Sequence, residues 1–147
     1  VITQIRAKLA QIQSSINGIK RVYEYAPMSL APSDLPAFVT FIGTVIPRFI
    51  GEQLIEETRS FLMRLYVIPI QSGIDGEAEK AVEPFMGSVR DAFLSHPALY
   101  NLEFVRQVNW LGDGGIQILS YAGENYIGVE FKISIVQFAP IIIAAME

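Results

Sequence analysis

His96 is the chain's only histidine and stands before Pro97 at the close of a helical stretch. Nucleophilic or acid–base chemistry there needs a hydroxyl or carboxylate partner, and no spacing in the chain supplies one. A polar residue closing a helix is the simpler reading. Asp75, Glu77, Glu79 and Glu83 crowd the start of the same helix. Carboxylates so placed could hold a metal ion, but acids at a helix N-terminus are also favoured by the helix dipole, and the structural reading is preferred. Glu52 and Glu56 stand one helical turn apart with Glu57 beside them, and no His or Asp completes a ligand set. Gly112-Asp113-Gly114-Gly115 has the glycines of a phosphate-cradling loop but not its Gly-Lys-Ser/Thr ending, and it opens a strand, so it reads as a hairpin turn. Trp110 and Tyr121, on neighbouring predicted strands, could stack on nucleobases. Without flanking cations they read as core or interface aromatics. No catalytic, cofactor-binding or metal-binding set emerges, so enzymatic activity and a cofactor are not expected.

Composition points elsewhere. The 147 residues are 51% hydrophobic and 18% charged, whereas ordinary soluble domains are about 25% charged. Fifteen acids against eleven Lys and Arg give a net charge of −4, which argues against broad nucleic-acid binding driven by counterion release. The absence of cysteine excludes disulfides, thiolate metal sites and thiol catalysis. The longest charge-free apolar stretch, Ile133 to Met146, contains Gln137 and Pro140 and falls short of the roughly 20 residues of a membrane helix. No membrane span is expected, and no basic start with a following apolar run marks a secretory signal. A chain of this length closes one core without a staple, which leaves apolar content available for contacts.

The elements follow from periodicity. Ile2, Ile5, Leu9, Ile12, Ile16 and Ile19 recur at steps of three and four and predict a helix ending near Asn17-Gly18. Arg21 to Tyr25 alternates as a short strand, and Pro27, Pro32 and Pro36 predict an extended surface loop. Ala37 to Ile42 reads as a buried strand. Thr44 to Glu57, broken by Pro47 and Gly51, reads as a loop with one helical turn at Glu52 to Glu57, and Arg59 to Ile70 reads as a strand. A second helix runs from Asp75 to Ser95, kinked at Pro84. Phe104 to Leu111, Ile116 to Tyr121 and Tyr126 to Phe138 predict a three-stranded meander with turns at Gly112–Gly115 and Ala122–Asn125. The expected class is α+β, a single domain over residues 1–147 with two helices packed on one face of a mostly antiparallel sheet.

Apolar residues without an evident home mark the candidate interfaces. The tail over residues 139–147 carries Ile141, Ile142 and Ile143, and a chain end this apolar is sticky unless covered. Met28 and Leu30 in the proline loop, with Phe49 and Ile50 beyond Pro47, are the other subunit or partner contacts expected.

The order of an amphipathic helix, a "VYEYAP" strand, a proline loop entering "DLPAFVTF", a long strand, a second helix and a closing "ILSYAGENYIGVEFKISIVQF" segment resembles the tail-terminator and tail-completion (minor tail, neck) proteins of long-tailed bacteriophages. Asp34-Leu35-Pro36, Tyr121-Ala122-Gly123 and Tyr126-Ile127-Gly128-Val129 carry the resemblance most directly. It implies a structural virion protein forming a homo-oligomeric ring, usually of six subunits, at the head-proximal end of the tail tube. Such a ring ends tube polymerisation and joins the tail tube protein to the head connector or adaptor, and the protein resides in the virion after assembly in the host cytoplasm. A head–tail joining protein of the connector and a small cellular α+β ligand-binding domain remain alternatives. DNA would pass through the lumen without specific binding: six copies of a chain of charge −4 would carry −24, repelling phosphate. Glu52, Glu56, Glu57 and Asp113 are the candidate lumen acids.

Overall fold

The computed structural model describes residues 2–70 and 74–140. Helix α1 (Ile2–Ser14) and strand β1 (Arg21–Tyr23) are followed by a loop with a 3-10 turn at Pro32–Asp34. Strands β2 (Ala37–Phe49) and β3 (Leu54–Pro69), helix α2 (Gly76–Leu94), and strands β4 (Val105–Tyr121) and β5 (Glu124–Pro140) complete the order. The five strands lie in the order β1-β2-β3-β5-β4, antiparallel throughout except for the parallel β1–β2 pair. The class is α+β, as the pattern predicts.

Strand alternation divides the sheet into two faces. Phe38, Phe61, Met63, Leu65, Val129, Phe131 and Ile133 point to one face, where Ile5, Leu9 and Ile12 of α1 and Val82, Val89 and Phe93 of α2 join them in one buried cluster. Full burial of a side chain of this size contributes about 1.5–3 kcal/mol, so this cluster is the main source of cohesion. Trp110 belongs here, its ring 6.0 Å from Phe93 and 5.7 Å from Phe131. Two polar contacts tie α1 to β2: Gln13 Nε2 donates to Thr40 Oγ1 at 3.0 Å, and the buried Arg6 donates to the Thr40 carbonyl at 3.0 Å and to that of Glu24.

The opposite face carries a smaller cluster. Leu30, Leu35, Ala37, Val39, Tyr66, Leu119 and Tyr126 are buried there, with Tyr23, Phe41 and Tyr121 alongside. The proline loop is therefore a cover for this face as well as a surface segment. Two phenols latch it, Tyr126 donating to the Leu30 carbonyl at 3.0 Å and Tyr121 to that of Pro27. Trp110 and Tyr121 thus serve opposite sides of the sheet and form no joint stacking surface.

Two expectations change. Residues 104–138 form two long strands, with β4 running unbroken over 17 residues where a meander was expected. The β4–β5 register slips on either side of Asp113, and Gly112 and Gly115 have φ of 95° and 80°. A bulge, like a tight turn, can take glycine at positive φ, which is why Gly-Asp-Gly-Gly reads as either. Residues 44–57 form no loop or helical turn but the outer half of a β2–β3 hairpin, whose turn closes with the Ile50 N–H donating to the Leu54 carbonyl at 2.9 Å. Pro47 is tolerated because a strand at the sheet border has ladder groups that no neighbour requires.

Helix α2 agrees closely with its pattern. Asp75 caps it, Oδ1 accepting from the Ala78 N–H at 2.9 Å, and Glu77 and Glu79 stand in the first turn. The helix continues through Pro84, where the Ser88 hydroxyl donates to the Pro84 carbonyl at 3.0 Å.

Candidate interaction surfaces

The β2–β3 hairpin reaches beyond the helices and carries one group of exposed apolar side chains. Phe49 is 71% exposed and Ile46 70%, with Ile42, Ile50 and Leu54 also exposed. Alternation sets Ile46 and Leu54 on the helix-free face and Phe49 on the helix side, so the tip is apolar on both faces. Phe49 and Ile50 were marked by their types beside Pro47. Ile42 was read into the buried strand Ala37 to Ile42 and is instead exposed, whereas Ile46 and Leu54 were missed because their stretch reads as broken by Pro47 and Gly51.

Met28, at the crest of the proline loop, is 96% exposed. Leu30, expected as a contact, is instead buried under the sheet within this chain: the Tyr126 latch holds its backbone and the small cluster takes its side chain. Ile141, Ile142 and Ile143 lie outside the described residues.

The four acids expected near a lumen are not brought together. Glu56 is buried between two arginines, its carboxylate 2.7 Å from Arg106 and 3.5 Å from Arg48. Arg106 also lies over the Phe138 ring. A carboxylate held this way neutralises its neighbours and presents little charge outward. Glu57, next in the strand, points to the other face and is half-buried, whereas Glu52 is exposed in the hairpin turn. Asp113 is exposed in the β4 bulge, where its Oδ1 accepts from the Gly115 N–H at 2.8 Å.

Between the tyrosines and the hairpin tip, the helix-free face carries an ion pair. Arg64 donates to Glu130 at 2.7 Å across β3 and β5, and its guanidinium lies over Phe41. Under the proline loop, burial raises the phenol pKa of Tyr66, Tyr121 and Tyr126 above the ordinary 10.0. The Tyr121 and Tyr126 hydroxyls are kept in the protonated form that donates to the loop carbonyls, while the Tyr66 hydroxyl is buried without a hydrogen-bond partner among the described residues.

Among the described residues no acid partners His96: Nδ1 lies 2.8 Å from the Ala92 carbonyl and the ring sits 4.3 Å from that of Tyr100. Among the described residues no group of three or more His, Asp or Glu side chains is placed to hold a metal ion. Among them, too, no helix is long and apolar enough to cross a membrane. No protein-family model matches the chain, and comparison with curated proteins finds no match.

Proposed function

We propose that the chain is a structural virion protein, a tail-terminator or tail-completion subunit that forms a homo-oligomeric ring of six copies at the head-proximal end of a phage tail tube. The ring stops tube growth and joins the tube protein to the head connector. One observation carries this reading: the hairpin holds Ile46, Phe49, Ile50 and Leu54 in solvent beyond its own core. Apolar side chains grouped on a projecting hairpin mark a surface that another protein covers. Met28, held out on a latched loop, adds a second contact of the same kind.

The order of helix, short strand, proline loop, long strand, second helix and closing strands is the one on which the resemblance is drawn, and it supports the reading to that extent. A small-molecule binder holding an apolar ligand between helices and sheet is less well supported. That space is filled by Ile5, Leu9, Phe38, Phe93 and Phe131, all nearly or fully buried. In the ring, the net charge of −4 per copy lets DNA pass without adhering.

Negative-stain images of the purified full chain test the assembly. Closed rings with a central hole are expected, and a field of uniform single-chain particles at concentrations above about micromolar would contradict it.

A further inference from the structure

Asn17-Gly18 lies in the turn that leads from α1 to β1. Both residues are exposed, and the Ile19 N–H closes the turn by donating to the Ile16 carbonyl at 3.3 Å. Gly18 has φ of 93°, and a Cβ there would lie 3.2 Å from the Phe85 ring. A larger residue is therefore disfavoured by the backbone and by its neighbour alike. The fold thus keeps, directly after Asn17, the one residue type whose nitrogen no side chain shields.

Nothing holds this pair out of reaction. Among the described residues no backbone acceptor takes the Gly18 N–H. Asn17 lines an open cleft of about 370 Å³ between the end of α1 and α2, with Ser15, Ser88, Asp91 and Ser95. The three hydroxyls there donate to carbonyls of their own helices or turns, and Asp91 is paired with Arg90. The other three asparagines differ. Asn101, Asn109 and Asn125 precede Leu102, Trp110 and Tyr126, whose side chains crowd the nitrogen. Asn109 also donates to Ser134 at 3.1 Å, and Asn125 accepts from Ser120 at 2.6 Å. Asp75 and Asp113 precede glycines as well, but an ionised carboxylate is a poor electrophile, and Oδ1 of each accepts a backbone N–H.

We propose that Asn17-Gly18 is a self-modification site whose conversion loosens the seat of α1. The Gly18 nitrogen gives its proton to solvent base and attacks Asn17 Cγ. The N–Cγ bond forms as the Cγ–Nδ2 bond breaks, and Nδ2 takes a proton from water and leaves as ammonia. Water then adds across either C–N bond of the cyclic imide, giving aspartate or isoaspartate, and nothing is oxidised or reduced. Either product adds one negative charge to the chain's −4. The new carboxylate shares the cleft with Asp91 and stands just past the C-terminal end of α1, where the dipole is negative and the last turn holds no basic residue. Isoaspartate also lengthens the main chain by a methylene between Ile16 and Ile19, which both pack in the main core.

Mass spectrometry of the full-length protein, incubated at mildly alkaline pH and then digested, tests the chemistry. The peptide holding Asn17 should gain the mass difference between NH2 and OH and separate into aspartyl and isoaspartyl products of equal mass. The rate should rise with pH and lie within roughly tenfold of that in the urea-unfolded chain, because an exposed turn needs no opening. Slower native conversion would show that the turn withholds its nitrogen, and would overturn the proposal. Equal conversion at Asn101, Asn109 or Asn125 would overturn it as well. Asn17→Gln, which must close a larger ring, should abolish the signal, and a signal that persists would place the reaction elsewhere. The isoaspartyl form, separated by anion exchange, should unfold at a lower urea concentration than the parent. An equal midpoint would overturn the loosening of α1.

Discussion

Gly128 shows how one residue sets the sheet. It pairs with Tyr66 on β3, and a Cβ there would collide with the Leu65 carbonyl oxygen. Because the obstacle is backbone, no rotamer change relieves it. Gly128→Ala should cost about 1–3 kcal/mol, read as a lower urea midpoint with an unchanged slope. An unaltered midpoint would show that β3 and β5 have room to part. The glycine was visible in the Tyr-Ile-Gly-Val motif, but its reason was not, because close approach of two backbones has no signature in one chain's spacing. Leu30 and Glu56 make the same point. Their types mark a contact and a free acid, and their neighbours, a tyrosine latch and two arginines, come from remote segments.

The buried phenols also predict a pH response. Burial raises Tyr66, Tyr121 and Tyr126 above 10.0, so the fold favours their neutral forms. Stability from this cluster is full below the unfolded value and is lost as pH rises through the raised folded values. Thermal melts from about pH 8 to about pH 11 should show Tm falling above about pH 10, with a smaller fall in Tyr66→Phe. A fall of equal size in that variant would place the alkaline sensitivity elsewhere.

At the scale of elements, the helices were the most legible parts. The three-and-four spacing of α1 and the acidic start of α2 are local signals, and both elements form as predicted. Strands carrying glycine or proline were less legible. Gly112-Asp113-Gly114-Gly115 bends β4 without ending it, and Pro47 sits within β2 at a sheet border, yet both types read as breaks when the neighbouring strand is unknown. The hairpin predicts a separation of stability from assembly. Ile46 and Phe49 are mostly in water, so Ile46→Ser with Phe49→Ser should change monomer stability by no more than about 0.5 kcal/mol per site. Sedimentation should show the same variant as largely monomeric. If it assembles like the parent, the hairpin is not a subunit contact.

Across the whole molecule, the surplus of apolar residues has a distribution. One part fills the helix–sheet core, a second lies under the proline loop, and a third stands exposed along the hairpin and the two sheet borders. The class and the single helix-backed sheet were legible because patterning decides them. Which apolar residues remain outside was not, because that depends on how far two helices reach over a longer sheet. This third part is the basis of the ring account. Light scattering coupled to size exclusion on the purified full chain tests that account most directly. It predicts a single species near six times the 16.3 kDa chain mass, stable on dilution. A species of one chain mass at every concentration loaded would contradict it.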